Sequence, residues 1–222
     1  MTTHKLTYFN IQGAAEKVRL AFVLAGVAFE DVRITGEEWA TLKPTTKFGQ
    51  LPMLNIDGVE FAQSGAMVRY VARLGDGSLA PTDPIAELKL NEIIGLSEDM
   101  DRAFGPCLYF AIRPTMFGLD AEYNKTPEGQ EHIRKLRVKF VEEQLPVFME
   151  QYTRFLASTG GPFFGGAKPS IADCIILPQL RKFKAGFMDH IPVTSLDAYP
   201  EINQYIDAVM ALPAVAAWYQ KK

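Results

Sequence analysis

The chain has 222 residues, 48% hydrophobic and 22% charged, with a formal net charge of −3. This is an ordinary globular composition, which excludes a disordered polymer and suits one full-size domain plus a smaller one. Residues 1–80 carry eight basic and eight acidic side chains, so neither half is strongly basic and no nucleic-acid surface is expected.

Met1-Thr2-Thr3-His4-Lys5 leads straight into strand-forming residues without a signal-peptide apolar region. The longest apolar run, Leu20 to Phe29, is too short to span a bilayer, so no membrane association is expected. Cys107 and Cys174 form no CxxC motif and fit a reducing, cytoplasmic setting as small buried hydrophobes. His4, His132 and His190 lack metal-ligand spacing, so no metal is expected. Gln220-Lys221-Lys222 reads as a short solvated basic tail.

Leu6-Thr7-Tyr8-Phe9 is a strand of β-formers, followed by a turn from Asn10 to Gly13. Ala14 to Ala25 reads as a helix with a wide apolar face, which Gly26 ends. Phe29, Val32 and Ile34 suggest a second strand, parallel to the first through a right-handed crossover. An irregular connection follows. Met53–Ile56 and Val59–Ala62 then flank Asp57-Gly58, a two-residue hairpin signal. A helix over about Ser64 to Leu74 completes a small α/β sandwich.

The Gly/Pro/Asp-rich stretch from Gly75 to Pro84 reads as a linker. Beyond it the pattern is all helical. Ile85 to Ile112 is one helical stretch, interrupted near Gly105-Pro106. Pro127 to Ala157 is another, with a kink expected at Pro146. A glycine-rich loop from Ser158 to Pro169 precedes helices over Ser170 to Ala185 and Pro200 to Leu212. Pro213 opens a last short helix ending near Tyr219. Ser170-x-x-Asp173 resembles a capping box with Asp in place of Glu, read as the structural start of a core helix.

Three N-terminal segments resemble the signatures of sigma-class, tyrosine-type glutathione S-transferases: Lys5-Leu6-Thr7-Tyr8-Phe9-Asn10, Phe48 to Leu54, and Gln63 to Tyr70. The resemblance returns at Ser170 to Asp173 and at Leu212 to Trp218. It implies a thioredoxin-like α/β domain over 1–75, a linker over 76–84 and an all-α helical-bundle domain over 85–222. It also implies a cytoplasmic homodimer that uses glutathione as co-substrate in detoxification.

By this resemblance Tyr8 donates its hydroxyl to the glutathione sulfur and favours the thiolate, the nucleophilic form. Gln63 and Ser64 hold the γ-glutamyl end, where free helix-terminal amides suit a carboxylate. Leu51 precedes a cis Pro52, and its backbone pairs with the cysteinyl unit. Trp39, Lys43 and Gln50 contact the glycyl end. Asp99, with Glu98 and Asp101 as alternatives in the alignment, reaches the γ-glutamyl ammonium of the opposite subunit.

The second substrate, a small and mostly apolar electrophile, is expected between the domains, lined by Phe9, Phe104, Cys107, Leu108 and Tyr109. One departure stands out. Ala14 and Gln12 occupy positions where family members often have arginine, the first of which assists the tyrosine and the sulfur. Its absence leaves room for lower activity, for a different supporting cation, or for a non-catalytic crystallin- or ligandin-like protein of the same fold. Sigma members that isomerise a prostaglandin endoperoxide carry a tryptophan between positions matching Ile85 and Gly118; this chain has none there. Tyr8 to Gly13 contains no cysteine, which disfavours disulfide reduction.

Overall fold

The structure is a computed structural model describing residues 2–220. The dipeptide Lys221-Lys222 of the basic tail lies outside the described residues. Four strands form one sheet in the order β2-β1-β3-β4. They are β1 (His4–Phe9), β2 (Glu30–Ile34), β3 (Met53–Ile56) and β4 (Val59–Ala62). β1 runs parallel to β2 and antiparallel to β3, which pairs antiparallel with β4. The two hairpin residues have positive φ, 48° at Asp57 and 89° at Gly58, as the tight turn requires.

Helices α1 (Glu16–Leu24) and α3 (Ser64–Val71) pack together beside the sheet. Side chains alternate across a strand, so His4, Leu6 and Tyr8 share the face of β1 that the helices cover. Accordingly the His4 ring lies tilted against Phe22 of α1, and its Nε2 meets the Tyr70 hydroxyl of α3 at 3.1 Å. Leu6, Leu54, Val18, Phe22, Val68 and Val71 are buried between the layers.

The connection expected to be irregular contains a helix, α2 (Gly36–Leu42), followed by a 3₁₀ turn, Lys43–Thr45. Its start is a full capping box. The Thr35 hydroxyl accepts from the Glu38 N–H at 3.2 Å, and the Glu38 carboxylate accepts from the Thr35 N–H at 2.7 Å. Reciprocal capping secures a helix of only seven residues that buries no side chain.

After α3, residues 72–83 hold no regular element. The helical part then follows: α4 (Pro84–Ile112), α5 (Pro127–Lys139), α6 (Leu145–Thr159), α7 (Ile171–Arg181), α8 (Pro200–Met210) and α9 (Pro213–Gln220). The expected interruption at Gly105-Pro106 is absent, since α4 runs through Pro106. Just ahead of Pro146, where a kink is expected, a π-helical turn, Phe140–Gln144, joins α5 to α6. A wide turn just ahead of a proline gives its ring room and absorbs the missing hydrogen bond. Ser170 caps α7 as a capping box with Asp173, whose buried carboxylate accepts from the backbone N–H groups of Phe164, Gly165 and Ser170 and from the Ser170 hydroxyl. The buried side chains of both parts form one continuous core.

Candidate active site

Tyr8 stands at the C-terminal end of β1, half-buried, where the chain turns toward α1. Its hydroxyl oxygen accepts a hydrogen bond from the Ala14 N–H at 3.2 Å. The turn reaches the hydroxyl because Gly13 lacks a side chain. A Cβ there would lie 2.6 Å from the Tyr8 oxygen, and its φ of +45° also favours glycine. With a lone pair engaged by the amide, the phenolic O–H remains to donate outward, and the amide polarises it as a donor.

The turn is tied down from beneath by Arg19, whose side chain is fully buried. Its Nη1 donates to the carbonyls of Ile11 at 2.8 Å and Gln12 at 3.3 Å, and to Glu16 Oε2 at 3.1 Å. Its Nε donates to Asp31 Oδ1 at 2.9 Å. The guanidinium carbon lies 5.8 Å from the centre of the Tyr8 ring. Asp31 also accepts from Arg33, whose Nη1 donates to Asn10 Oδ1 at 3.0 Å. From the far end of the chain, the Trp218 indole N–H donates to Glu16 Oε1 at 3.1 Å. Sequence reasoning passed over this network. Its available signal was the Glu16-x-x-Arg19 spacing, one helical turn, inside an otherwise apolar helix.

The residues expected to hold glutathione are spread over α2 and the turn after it, the approach to β3, the start of α3, and α4. The Leu51–Pro52 peptide is cis, and Pro52 is buried at the start of β3. Gln63 sits with φ of 73° directly before α3, and its amide donates to Gln50 Oε1 at 3.2 Å. Ser64 is the first residue of α3, and Gln63, not Ser64, occupies its N-cap position. Trp39 on α2 meets Phe9 edge-on at 6.2 Å, and Phe9 in turn meets Tyr8 at 5.5 Å. Lys43 is exposed in the 3₁₀ turn after α2, its stem lying along Gly49. Asp99 is exposed on α4 and pairs with Arg102.

The five residues expected to line the electrophile site divide. Phe9 and Leu108 are half-buried and Tyr109 is exposed, all three on accessible surfaces. Phe104 turns inward and packs edge-on against Phe140 at 5.0 Å and Phe183 at 5.3 Å. Cys107 is buried too, its thiol directed at the Leu136 carbonyl at 3.4 Å, and burial pushes that thiol up to about 11. These two belong to the helical core, because the apolar face of α4 must cover α5 and α7 before it can offer anything to a ligand.

Two family profiles match the chain: "Glutathione S-transferase, N-terminal domain" over residues 4–73, and "Glutathione S-transferase, C-terminal domain" over residues 121–222. The chain belongs to the glutathione S-transferase family. A probable glutathione S-transferase 7 of Caenorhabditis elegans is 52% identical over 226 residues, covering 100% of this chain and 98% of that one. A hematopoietic prostaglandin D synthase of Gallus gallus is 32% identical over 225 residues, with the same two coverages. Among solved structures, monomeric Na-GST-3 of the hookworm Necator americanus is 29% identical. It superposes with a TM-score of 0.75 over 99% of this chain and 97% of its own. This glutathione S-transferase has the thioredoxin-like sheet and the helical second half that its N-terminal motifs imply. No helix among the described residues is long and apolar enough to cross a membrane. Among those residues no group of three or more His, Cys, Asp or Glu side chains is placed to hold a metal ion.

Proposed function

We propose that the enzyme binds glutathione along β3 and the start of α3, activates its thiol through the Tyr8 hydroxyl, and conjugates the thiolate to small, mostly apolar electrophiles. The observation that carries this reading is the Ala14 N–H on the Tyr8 oxygen at 3.2 Å. It engages a lone pair of the phenolic oxygen and leaves the hydroxyl proton for another acceptor, the role this reading gives to the glutathione sulfur. Gln63 joined to Gln50, the Ser64 amide end of α3 and the Leu51 backbone supply polar partners of the kinds a γ-glutamyl tripeptide needs. Trp39 and Lys43 take the glycyl end, with Lys43 pairing its carboxylate. Rate then comes from thiolate formation and from holding two reactants together.

The same reading carries a division into 1–75, a linker 76–84 and 85–222, and a cytoplasmic homodimer in which Asp99 of each subunit reaches the other's glutathione. Removing the donor in Tyr8→Phe should cut turnover of a chromogenic electrophile on the order of 100-fold while glutathione binding persists. Retained turnover in that variant would exclude Tyr8 as the activating group.

A second reading has one observation in its favour. Ala14 puts no charged side chain beside Tyr8, as a weakly catalytic glutathione- or ligand-binding protein would tolerate. Wild-type protein that binds glutathione but turns over no electrophile would support it. The prostaglandin synthase relative keeps an isomerase role open to the same assay with an endoperoxide substrate.

A further inference from the structure

A cavity of about 120 Å³ opens where the end of α3, the first two turns of α4 and the start of α7 meet. Four polar side chains line it, Arg69 and Arg73 from the end of α3 and Glu87 and Asn91 from α4. Its floor is apolar, with Leu90 and Ile171 buried beneath them. The volume has room for several waters or for one small polyatomic anion. None of these residues is among those assigned above to glutathione or to the electrophile.

Arg69 belongs to the last turn of α3. The chain keeps turning beyond it, the Arg73 N–H donating to the Tyr70 carbonyl at 3.1 Å. Two guanidinium groups therefore stand one turn apart on one wall, where like charges repel. Arg69 Nη1 donates to the Gly65 carbonyl at 3.0 Å, and Arg69 makes no ion pair among the described residues. Arg73 Nη2 donates to Glu87 Oε1 at 3.0 Å, across from α3 to α4. The side chains of that pair are 59% and 47% exposed, so the contact holds Arg73 only weakly. A guanidinium carries five N–H donors, and these contacts leave most of them to a ligand or to water. Two cations face one carboxylate, so the cavity carries one positive charge in excess over an apolar floor.

We infer that this cavity binds a small tetrahedral oxyanion of the phosphate class. An anion between Arg69 and Arg73 removes their mutual repulsion and can take a two-pronged contact from each planar fork. Asn91 stands one turn beyond Glu87 on α4 and brings an amide donor to the same space. The apolar floor keeps water from one side of the anion and strengthens each of these contacts. Glu87 opposes the ligand, and its hold on Arg73 weakens as the anion enters.

The test is titration calorimetry of the full chain with inorganic phosphate, in chloride of matched ionic strength. Arg69→Gln should weaken binding about tenfold, the size of a lost charge-assisted contact. Arg69→Lys should restore part of it, since the charge returns without the fork. Glu87→Gln should tighten binding, because it removes the one opposing charge. Phenyl phosphate run beside inorganic phosphate tells the source of the group: tighter binding of the ester assigns a phosphomonoester, and tighter binding of the ion assigns free phosphate. Wild type that takes up neither, an affinity unmoved in Arg69→Gln, or weaker binding in Glu87→Gln overturns the site. If Arg69→Gln changes the oligomeric state in sedimentation while phosphate affinity stays level, the guanidinium serves a second copy of the chain and the assignment falls.

Discussion

The indole N–H of Trp218, in the last helix, donates to the carboxylate of Glu16, in the first, at 3.1 Å and across 202 residues of chain. Glu16 in turn accepts from Arg19, which holds the carbonyls of the turn beneath Tyr8. The position of the tyrosine's neighbours therefore depends on the C-terminus. Trp218→Phe keeps most of the packing but removes one donor from a fully buried carboxylate. It should lower stability by about 1–3 kcal/mol in urea denaturation and reduce kcat as well. Lost stability with kcat untouched would show that the turn does not feel this contact.

Arg19 is fully buried between Glu16 and Asp31, with no exposed side-chain surface. Arg19→Met leaves the buried Glu16 carboxylate without its cation and Asp31 with Arg33 alone. The expected loss is about 3–5 kcal/mol of unfolding free energy, the range for breaking a buried pair from one side. Arg19→Lys should recover little of it, since a single ammonium cannot serve Asp31, Glu16 and the Ile11 carbonyl in a fixed fork. Denaturant unfolding of the two variants side by side decides the point.

Gly13 approaches Tyr8 so closely that a methyl group would fall 2.6 Å from its oxygen. Gly13→Ala should therefore push the turn back and displace the Ala14 amide. A displacement of about 1 Å can cost on the order of 100-fold in rate, and kcat/KM should fall well beyond any change in melting temperature. Full activity in this variant would mean that the amide contact is dispensable.

Ala14 is exposed, so its side chain can grow without a clash. Ala14→Arg retains the backbone N–H and adds a cation beside the thiol. The bound glutathione thiol should then titrate at lower pH than in the wild type, followed by its ultraviolet thiolate absorbance. An unchanged titration would indicate that charge on this side of the tyrosine is already supplied.

Burial raises the Cys107 thiol to about 11 and raises Cys174 as well. Both should resist thiol reagents in the native protein at neutral pH and react in denaturant. The sign for stability follows from the same shift. A folded-state value above the unfolded one, near 8.5, means full stability below that pH and a loss as pH climbs toward 11. The buried hydroxyls of Tyr152 and Tyr205, raised by desolvation, push the same way. Denaturation midpoints that stay level across that interval would contradict this.

The strands, the Asp57-Gly58 hairpin and most helix ends were legible because period, caps and turn residues are local signals. The Thr35-x-x-Glu38 cap of α2 was equally local, yet Trp39, Pro44 and the polar residues around them obscured it. Pro106 misled because a proline states which hydrogen bond is lost but not how neighbouring backbone absorbs the loss. Tyr8, Gln50, Gln63 and the cis Pro52 were found through a family pattern, and the structure sets Gln63 on Gln50 and Tyr8 on the Ala14 amide. Phe104 and Cys107 were placed toward a ligand because helical spacing gives a face but does not say what covers it. Arg19 was not singled out although Glu16 lies one helical turn away, and Trp218 entered only as the end of a resembling segment, since its partner lies 202 residues away.

The π-helical turn at Phe140–Gln144 amounts to one residue more than an unbroken helix would need. Each residue turns an α-helix by about 100°. The insertion therefore lets a single rod present two different sides, one bearing Ile133 and Arg137 on α5, the other Met149, Tyr152 and Leu156 on α6. Deleting one residue within the turn would rotate α6 against α5 and carry Tyr152 out of reach of Gln179, to which it now donates at 2.8 Å. A short irregularity thus acts as a gear tooth, fixing the phase at which the second half of the bundle meshes with the first.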